Sequence, residues 1–405
     1  MKNISKIIVL FIVFSFVLLA QPFYTVSGKY ILDPQGNKFF MKGTNVGHWM
    51  VPEGYMFKFK KTASPRLIYQ LFGNMVGQAE ANKFWNEFYY NYITLEDIKA
   101  IKQLGFNTIR VPFNYDLFFD ERFPENKRTI GFKLLDRIVG WANEENIPLI
   151  LDMHCAPGGQ TGDNIDDSHG YLFLYESPES RQQTIDLWVE IAKRYKDEEI
   201  IMGYDLLNEP IPHFYDTTKY NPMLEPFFKE MTKAIRAVDT NHILMYGGAQ
   251  WNSNFKVFGA PFDSKAVYTW HKYWTPTGVE VIQDYLDFSN KYNVPIFCGE
   301  TGENNDEWVE AFRKTMEENE VGWCYWPYKK LDNTAGVVSI TMPEGWDKII
   351  EYSEADRSNY GGLRDTRPDP TIIKNALKVY LQNMRLEKCT FNKGYLKALG
   401  LKTEL

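Results

Sequence analysis

The chain reads as an α/β protein: a single (β/α)8 barrel with an N-terminal β-hairpin cap. Three features predict this. Eight short apolar runs recur along the sequence, most of them continuous rather than alternating, as strands buried on both faces require. Amphipathic stretches of helical period lie between them. No Gly-rich nucleotide-binding turn opens any of those helices, which weighs against the alternative, a doubly wound open sheet.

Length and composition agree. The chain has 405 residues, 44% hydrophobic and 24% charged, an ordinary globular composition with apolar mass for one large core. Barrels of this kind run from about 200 to over 400 residues. There is no repeat, low-complexity segment or linker, so residues 21–405 read as one catalytic-size domain.

Residues 1–20 read as a secretory signal. Lys2 and Lys6 form a positive start, Ile7 to Leu19 is apolar apart from Ser15, and Ala20 offers a small residue for cleavage before Gln21. The run is too short to span a bilayer comfortably. Its removal takes the formal charge from −7 to −9. An acidic mature chain argues against nucleic acid and anionic membranes as partners. The expected product is a secreted or periplasmic monomer with no membrane attachment. Cys155, Cys298, Cys324 and Cys389 have no spacing that suggests a disulfide framework or a zinc site.

The elements follow in order. Residues 23–40 form a hairpin-like cap around the turn Asp33-Pro-Gln-Gly36, where Pro presets φ and Gly tolerates a positive φ. The strand candidates are 40–44, 108–111, 148–153, 201–207, 242–246, 266–270, 294–298 and 322–326. The helix candidates begin with 94–105, where Thr94 and Asp97 fit a capping box and Gly105 is a stop. The others are 133–145, 178–195, 225–238, 280–292 and 306–318, with 369–384 expected to close the ring. Two long connections, 46–92 and 327–368, are expected to rise from the C-terminal face and shape a cleft.

Candidate chemistry gathers at the C-terminal ends of the strands, where such barrels place their active sites. Glu209 follows strand four in Asn208-Glu209-Pro210. Glu300 ends strand seven in Cys298-Gly-Glu-Thr-Gly302. Two carboxyl groups with different jobs are what glycosidic-bond hydrolysis needs, and a separation of about 5 Å would suit retention of configuration. Arg110 would hold a carboxylate ionised. His154 and His271 would bond sugar hydroxyls, Tyr273 would donate to a nucleophilic carboxylate, and Trp326 would form a floor beneath a sugar ring. Each residue alone is compatible with a structural role; their common position at strand ends raises the functional reading. Asp163, Asp166, Asp167 and His169 follow His154 in one loop. They read as solvated, substrate-lining residues rather than metal ligands, and no metal or cofactor is expected.

The ordered set Arg110, His154, Asn208-Glu209, His271-x-Tyr273, Glu300 and Trp326 resembles glycoside hydrolase family 5, the cellulase and glucanase family. The resemblance covers essentially the whole mature chain. It implies that Glu209 is the acid/base and Glu300 the nucleophile, with Arg110, His154, Asn208, His271, Tyr273 and Trp326 around the sugar. Gly43-Thr-Asn-Val-Gly-His-Trp49 resembles the family's first-strand motif and adds Trp49 to the binding set. The loop 154–164 resembles exo-β-1,3-glucanases, whereas Trp326-Pro-Tyr-Lys-Lys330 is similar to some bacterial endoglucanases. The implied substrate is a β-linked glucan with β-1,4 or β-1,3 linkages, cleaved by double displacement. The alternatives are an exo-acting β-1,3-glucosidase, a β-mannanase, a transglycosylase and a non-catalytic sugar-binding barrel.

Overall fold

The computed structural model describes residues 22–118 and 130–405. The segment read as a secretory signal lies outside the described residues. A short hairpin, β1 (Thr25–Ser27) and β2 (Tyr30–Leu32), precedes eight parallel strands that close into a barrel. These are β3 (Lys42–Asn45), β4 (Thr108–Asn114), β5 (Leu149–Cys155), β6 (Ile201–Asp205), β7 (Ile243–Gly247), β8 (Ala266–Lys272), β9 (Ile296–Gly302) and β10 (Gly322–Trp326), and β10 pairs back onto β3. Each coincides with a predicted run. The runs are continuous in apolarity for the expected reason: every residue of β4 and β5 is buried.

The hairpin plugs the N-terminal end of the barrel. Tyr24 and Ile31 join Ile150, Met202, Ile243, Val267 and Phe297 in a closed apolar cluster. The chain reverses between β1 and β2 at Gly28, whose φ of 56° suits glycine. The predicted Asp33–Gly36 turn is the next reversal along the chain. There Asp33 Oδ1 accepts from the backbone N–H groups of Gln35 and Asn37, and Leu32 then bridges to Lys38.

Several helix expectations need correction. The long connection after β3 carries two helices, Pro65–Val76 and Gln78–Asn91. Helix Thr217–Arg236 begins eight residues before the predicted start at Glu225, capped by Asp216, whose carboxylate accepts from the backbone of Thr218 and Lys219. Pro222 and Pro226 do not break it: they lie four apart on its exposed face. Helix Pro370–Asn383 does not close the ring. It packs outside the barrel on Pro65–Val76, Gln78–Asn91 and Trp346–Glu354, with Tyr380 stacked on Trp346 at 4.7 Å. The ring is closed by Lys393–Ala398, which packs on Asp306–Glu318. Arg313 Nε donates to the Ala398 carbonyl, and Lys402 N–H reaches Leu104 O. Among the described residues no helix is long and apolar enough to cross a membrane.

One buried ion pair ties these layers together. In helix Leu95–Leu104, Asp97 completes the predicted capping box with Thr94. Its Oδ1 lies 2.6 Å from Lys329 Nζ and accepts from the Tyr328 hydroxyl at 3.1 Å. Lys329 Nζ also donates to the carbonyls of Tyr92 and Met384. Both side chains are fully buried. Asp97→Ala strands the ammonium without a counter-charge and removes a helix cap, so it is expected to destabilise the protein by about 3–5 kcal/mol. Chemical denaturation should show that loss, and Thr94→Ala should cost only about 1 kcal/mol by the cap alone.

Candidate active site

The barrel register brings polar residues of neighbouring strands side by side. Asn45 pairs with Arg110, Asp152 with Asp205, and His271 with Glu300. Charged residues inside buried strands must find partners in the barrel, because an isolated charge there is very costly. Arg110, on β4, is that partner. Its Nε donates to Asp205 Oδ2 at 2.9 Å, and its Nη2 lies 3.0 Å from Asp152 Oδ1 and donates to Asn208 Oδ1 at 2.8 Å. Its Nη1 donates to Asn45 Oδ1 at 3.1 Å and to Glu300 Oε1 at 2.5 Å. Burial works against the Arg110 charge, but Asp152, Asp205 and Glu300 outweigh it and hold the guanidinium protonated. Burial pushes Asp152 and Asp205 up to about 7, with Arg110 opposing.

Glu300 sits on β9 beside a register shift. Trp270 faces Cys298 and His271 faces Glu300, so Gly299 is the extra residue. A side chain at Gly299 would meet Thr269 Oγ1 at 2.3 Å and His271 Nε2 at 2.9 Å. Such a bulge re-aims its neighbours, and only glycine fits this one. The Tyr273 hydroxyl donates to Glu300 Oε2 at 3.2 Å. Burial raises the Glu300 carboxyl, and the Arg110 guanidinium opposes that push.

Glu209 is held differently. Its backbone adopts a left-handed φ of 47°, which costs on the order of 1–2 kcal/mol for a residue with a side chain. His271 Nδ1 lies 2.8 Å from Glu209 Oε1. Asn252 Nδ2 donates to His271 Nε2 at 3.1 Å, so Nδ1 carries the ring proton and donates to Glu209. Burial holds His271 well below its usual range, and it is neutral near pH 7. Burial, then the charges of Glu300 and Glu53, push Glu209 well above the usual carboxylate range. Glu300 therefore loses its proton first. A carboxylate oxygen of Glu209, a ring nitrogen of His271 and a carboxylate oxygen of Glu300 all lie within 4.8 Å of one another.

His154 and Trp326 complete the centre. His154 Nδ1 lies 2.8 Å from Asp152 Oδ2, and its Nε2 faces Asn208 Nδ2 at 3.4 Å. Burial pushes its pKa down to about 4. Trp326 lies parallel to the His154 ring, with centroids 5.5 Å apart and planes within 7°. Its indole N–H donates to Tyr55 Oη at 2.7 Å. Tyr55 donates to Glu303, which pairs with Lys330 at 2.6 Å. A Cβ at Gly47 would meet Trp326 at 2.2 Å, so the first-strand glycine is what admits this ring.

The structure thus brings together Glu209, Glu300, Arg110, Asn208, His154, His271, Tyr273 and Trp326. Trp49 is separate and corrects an expectation: it is fully buried in the core cluster and donates its indole N–H to the Tyr89 carbonyl at 2.7 Å. Sequence reasoning missed Asp152, Asp205, Asn45 and Asn252. A signal was there for the two aspartates, since each interrupts a buried apolar strand and demands a cation. It also missed Glu53, a buried carboxyl whose Oε1 has no hydrogen-bond partner. Burial, then Glu300 and Glu303, raise it well above the usual range.

The acids after His154 organise their own loop. Asp166 accepts from the backbone N–H of Thr161, Gly162 and Ser168, and Asp167 pairs with Arg66. Among the described residues, the groups near enough to hold a cation are Asp152, His154 and Glu300, and Glu209, His271 and Glu300. Both belong to the centre just described.

Two outcomes follow. Gly47→Ala forces Trp326 off His154 and is expected to lower kcat/KM about tenfold or more while the protein still folds; near-ultraviolet circular dichroism and steady-state kinetics check both halves. Glu300→Gln removes a negative charge beside Glu209, so the Glu209 carboxyl should titrate at a lower pH in the variant, as followed by carbon NMR of labelled glutamate.

Comparison with known proteins bears on the family and the fold. The chain is 34% identical over 238 residues to a β-xylosidase of Phanerodontia chrysosporium, a match covering 58% of this chain and 48% of that protein. The matched part thus spans about half of that relative. Endoglucanase C of Acetivibrio thermocellus is 27% identical over 312 residues, covering 62% of this chain and 88% of the relative. The crystal structure of the cellulose synthase subunit Z of Clostridioides difficile superposes with a TM-score of 0.56 at 18% identity, covering 89% of this chain and 99% of that one; it supports the fold alone. The family model for cellulase, glycosyl hydrolase family 5, matches residues 69–332, well over half of the chain. The chain belongs to glycosyl hydrolase family 5.

Proposed function

We propose that the chain is a retaining β-glucan hydrolase working by double displacement. The observation that carries this is the pair Glu209 and Glu300, with oxygens within 4.8 Å and unlike surroundings. That spacing suits a retaining site, whose carboxyl groups lie about 5 Å apart, better than an inverting one at about 6.5–9.5 Å. Glu300, ion-paired with Arg110, attacks the anomeric carbon. Glu209 gives its proton to the departing glycosidic oxygen, and a glycosyl ester forms on Glu300. Attack consumes the Glu300 charge, which lowers the Glu209 pKa and prepares it as a base. Glu209 then takes a proton from water, whose oxygen attacks the anomeric carbon and frees Glu300. Asn208 donates to the 2-hydroxyl, a bond that strengthens in the transition state. Trp326 is the floor beneath the reacting ring. The endoglucanase relative supports a glucan substrate, and residues 1–20 support export; we take the working unit to be a monomer.

The activity profile should be bell-shaped. Turnover needs Glu300 ionised and Glu209 protonated. Activity is therefore lost at low pH as Glu300 takes up a proton and at high pH as Glu209 loses one. Burial raises both carboxyls, so both limbs of kcat/KM should lie above the titration of a free glutamate; an acid limb at or below about 4 would contradict this.

The decisive experiment uses protein from the secreted fraction, whose first residue is expected to be Gln21. It is assayed on laminarin, lichenan, carboxymethylcellulose and mannan with chromatography of the products. Glu300→Ala should lose about 10³-fold or more in rate and recover with azide, giving a glycosyl azide of inverted configuration. A near-normal rate in that variant would refute the nucleophile assignment. Binding without cleavage by the unaltered protein would instead favour a sugar-binding barrel.

A further inference from the structure

A line of hydrogen bonds runs from the core to Glu209 through one imidazole. Asn252 Nδ2 lies 3.1 Å from His271 Nε2, and Nδ1 of the same ring lies 2.8 Å from Glu209 Oε1. Asn252 is fully buried, and its Oδ1 makes no hydrogen bond. An unpaired amide oxygen in the core is unfavourable. The bond at the nitrogen is therefore what this side chain contributes.

The loop after β7 is built to place that amide. Gln250, Trp251 and Asn252 have φ of 51°, 61° and 56°. Such conformations persist only where the surroundings enforce them, and asparagine is among the residues that tolerate them best. Asn254 N–H donates to Ala249 O at 2.8 Å, and Ala249 N–H donates to Asn254 O at 3.2 Å, which closes the loop. Gln250 fastens it to the segment that follows Glu209: its backbone N–H and its Nε2 both donate to Ile211 O, at 2.8 Å and 3.2 Å. Gly247, at the end of β7, leaves room for the amide, since a Cβ there would meet Asn252 Oδ1 at 2.1 Å.

We infer that Asn252 is a positioning residue that directs the acid proton of Glu209 to Oε2, the oxygen His271 does not hold. The inference rests on the hydrolase reading above. A neutral imidazole carries one N–H, and an amide nitrogen can only donate. With Asn252 donating to Nε2, the ring proton is on Nδ1. Nδ1–H then donates to Oε1, and the proton of Glu209 is left to Oε2, from which it passes to the glycosidic oxygen. A proton on Nε2 would make Nδ1 an acceptor. It would draw the Glu209 proton onto Oε1 and hold it toward the ring, away from the departing sugar. Once Glu209 has given up its proton, Nδ1–H also stabilises the carboxylate that remains.

Nitrogen NMR of protein labelled at histidine reads the tautomer, with the His271 signals assigned by their loss in His271→Gln. The unaltered protein should carry the proton on Nδ1; a proton on Nε2 overturns the inference without recourse to any variant at 252. Asn252→Gly keeps the left-handed backbone without strain, and Asn252→Leu fills the vacated space. Both should lose the preference for Nδ1. Kinetics then compare phenyl and 2,4-dinitrophenyl β-glycosides of the sugar unit released from the glucan that the unaltered protein cleaves. Phenolate needs a proton to depart, whereas 2,4-dinitrophenolate does not. In both variants kcat/KM should fall about tenfold or more on the phenyl glycoside, part of the roughly 10²- to 10⁴-fold that general acid catalysis supplies, and stay within about twofold on the dinitrophenyl glycoside. An equal loss on both glycosides, or no loss on either, overturns the inference while leaving the hydrolase reading in place. Failure of the unaltered protein to cleave any glucan or glycoside, or equal turnover by Glu300→Ala, removes the hydrolase reading and the inference with it.

Discussion

The site is built around one buried guanidinium. Arg110 cannot be left unpaired inside the barrel, and it is surrounded by Asp152, Asp205 and Glu300 together with Asn45 and Asn208. Three carboxylates around one cation would carry an excess of negative charge. Burial relieves part of it by raising Asp152 and Asp205 to about 7, so that each holds its proton for much of the time near neutral pH. Arg110 then has one face fastened by the aspartates and Asn208, and its Nη1 left for Glu300 and Asn45. The position of the Glu300 carboxylate follows from that division of donors. A lysine could not serve, since it lacks the rigid fork that reaches Asp205, Asp152, Asn208 and Glu300 together.

The same arrangement separates the two glutamates. Both are buried, and burial alone would raise both. Glu300 faces a permanent cation; Glu209 faces a neutral imidazole and two other acids. The difference between them comes from partners rather than from depth. His271 is neutral because it is buried beside Arg110, and its tautomer is fixed by Asn252. A charged imidazole here would pull the Glu209 proton off and spoil the division of labour.

How much of this was legible in the sequence depends on what each signal measures. The barrel strands were legible because burial on both faces leaves mostly continuous apolar runs, repeated eight times with amphipathic stretches between them. The positions of Glu209 and Glu300 followed, since strand ends in a closed barrel converge. Trp49 was misplaced because a motif gives order along the chain, not the direction of a side chain; its indole points into the helices of the first long connection. Helix Thr217–Arg236 starts eight residues before the predicted helix, and its two prolines, four residues apart on a solvated face, leave the buried stripe of Tyr220, Leu224, Phe227 and Phe228 intact. Gly47 was quoted only as part of a motif. Its reason is steric and long-range, the closeness of Trp326, and no local pattern encodes that.

The distribution of backbone strain shows why the barrel suits this chemistry. Among the described residues, left-handed non-glycine residues concentrate beyond the C-terminal ends of β6 to β9, at Glu209, Ile211, Gln250, Trp251, Asn252, Trp274 and Glu303, whereas Asn146, Asn293 and Glu320 are those that precede a barrel strand at the opposite end. The opposite end holds an apolar plug of Tyr24, Ile31, Met202 and Phe297, with no ionisable work to do. Conformations of that kind persist only where the rest of the fold over-determines them. A closed ring of eight strands, sealed below and wrapped in helices, supplies the rigidity that holds Glu209 in its left-handed conformation at the upper rim.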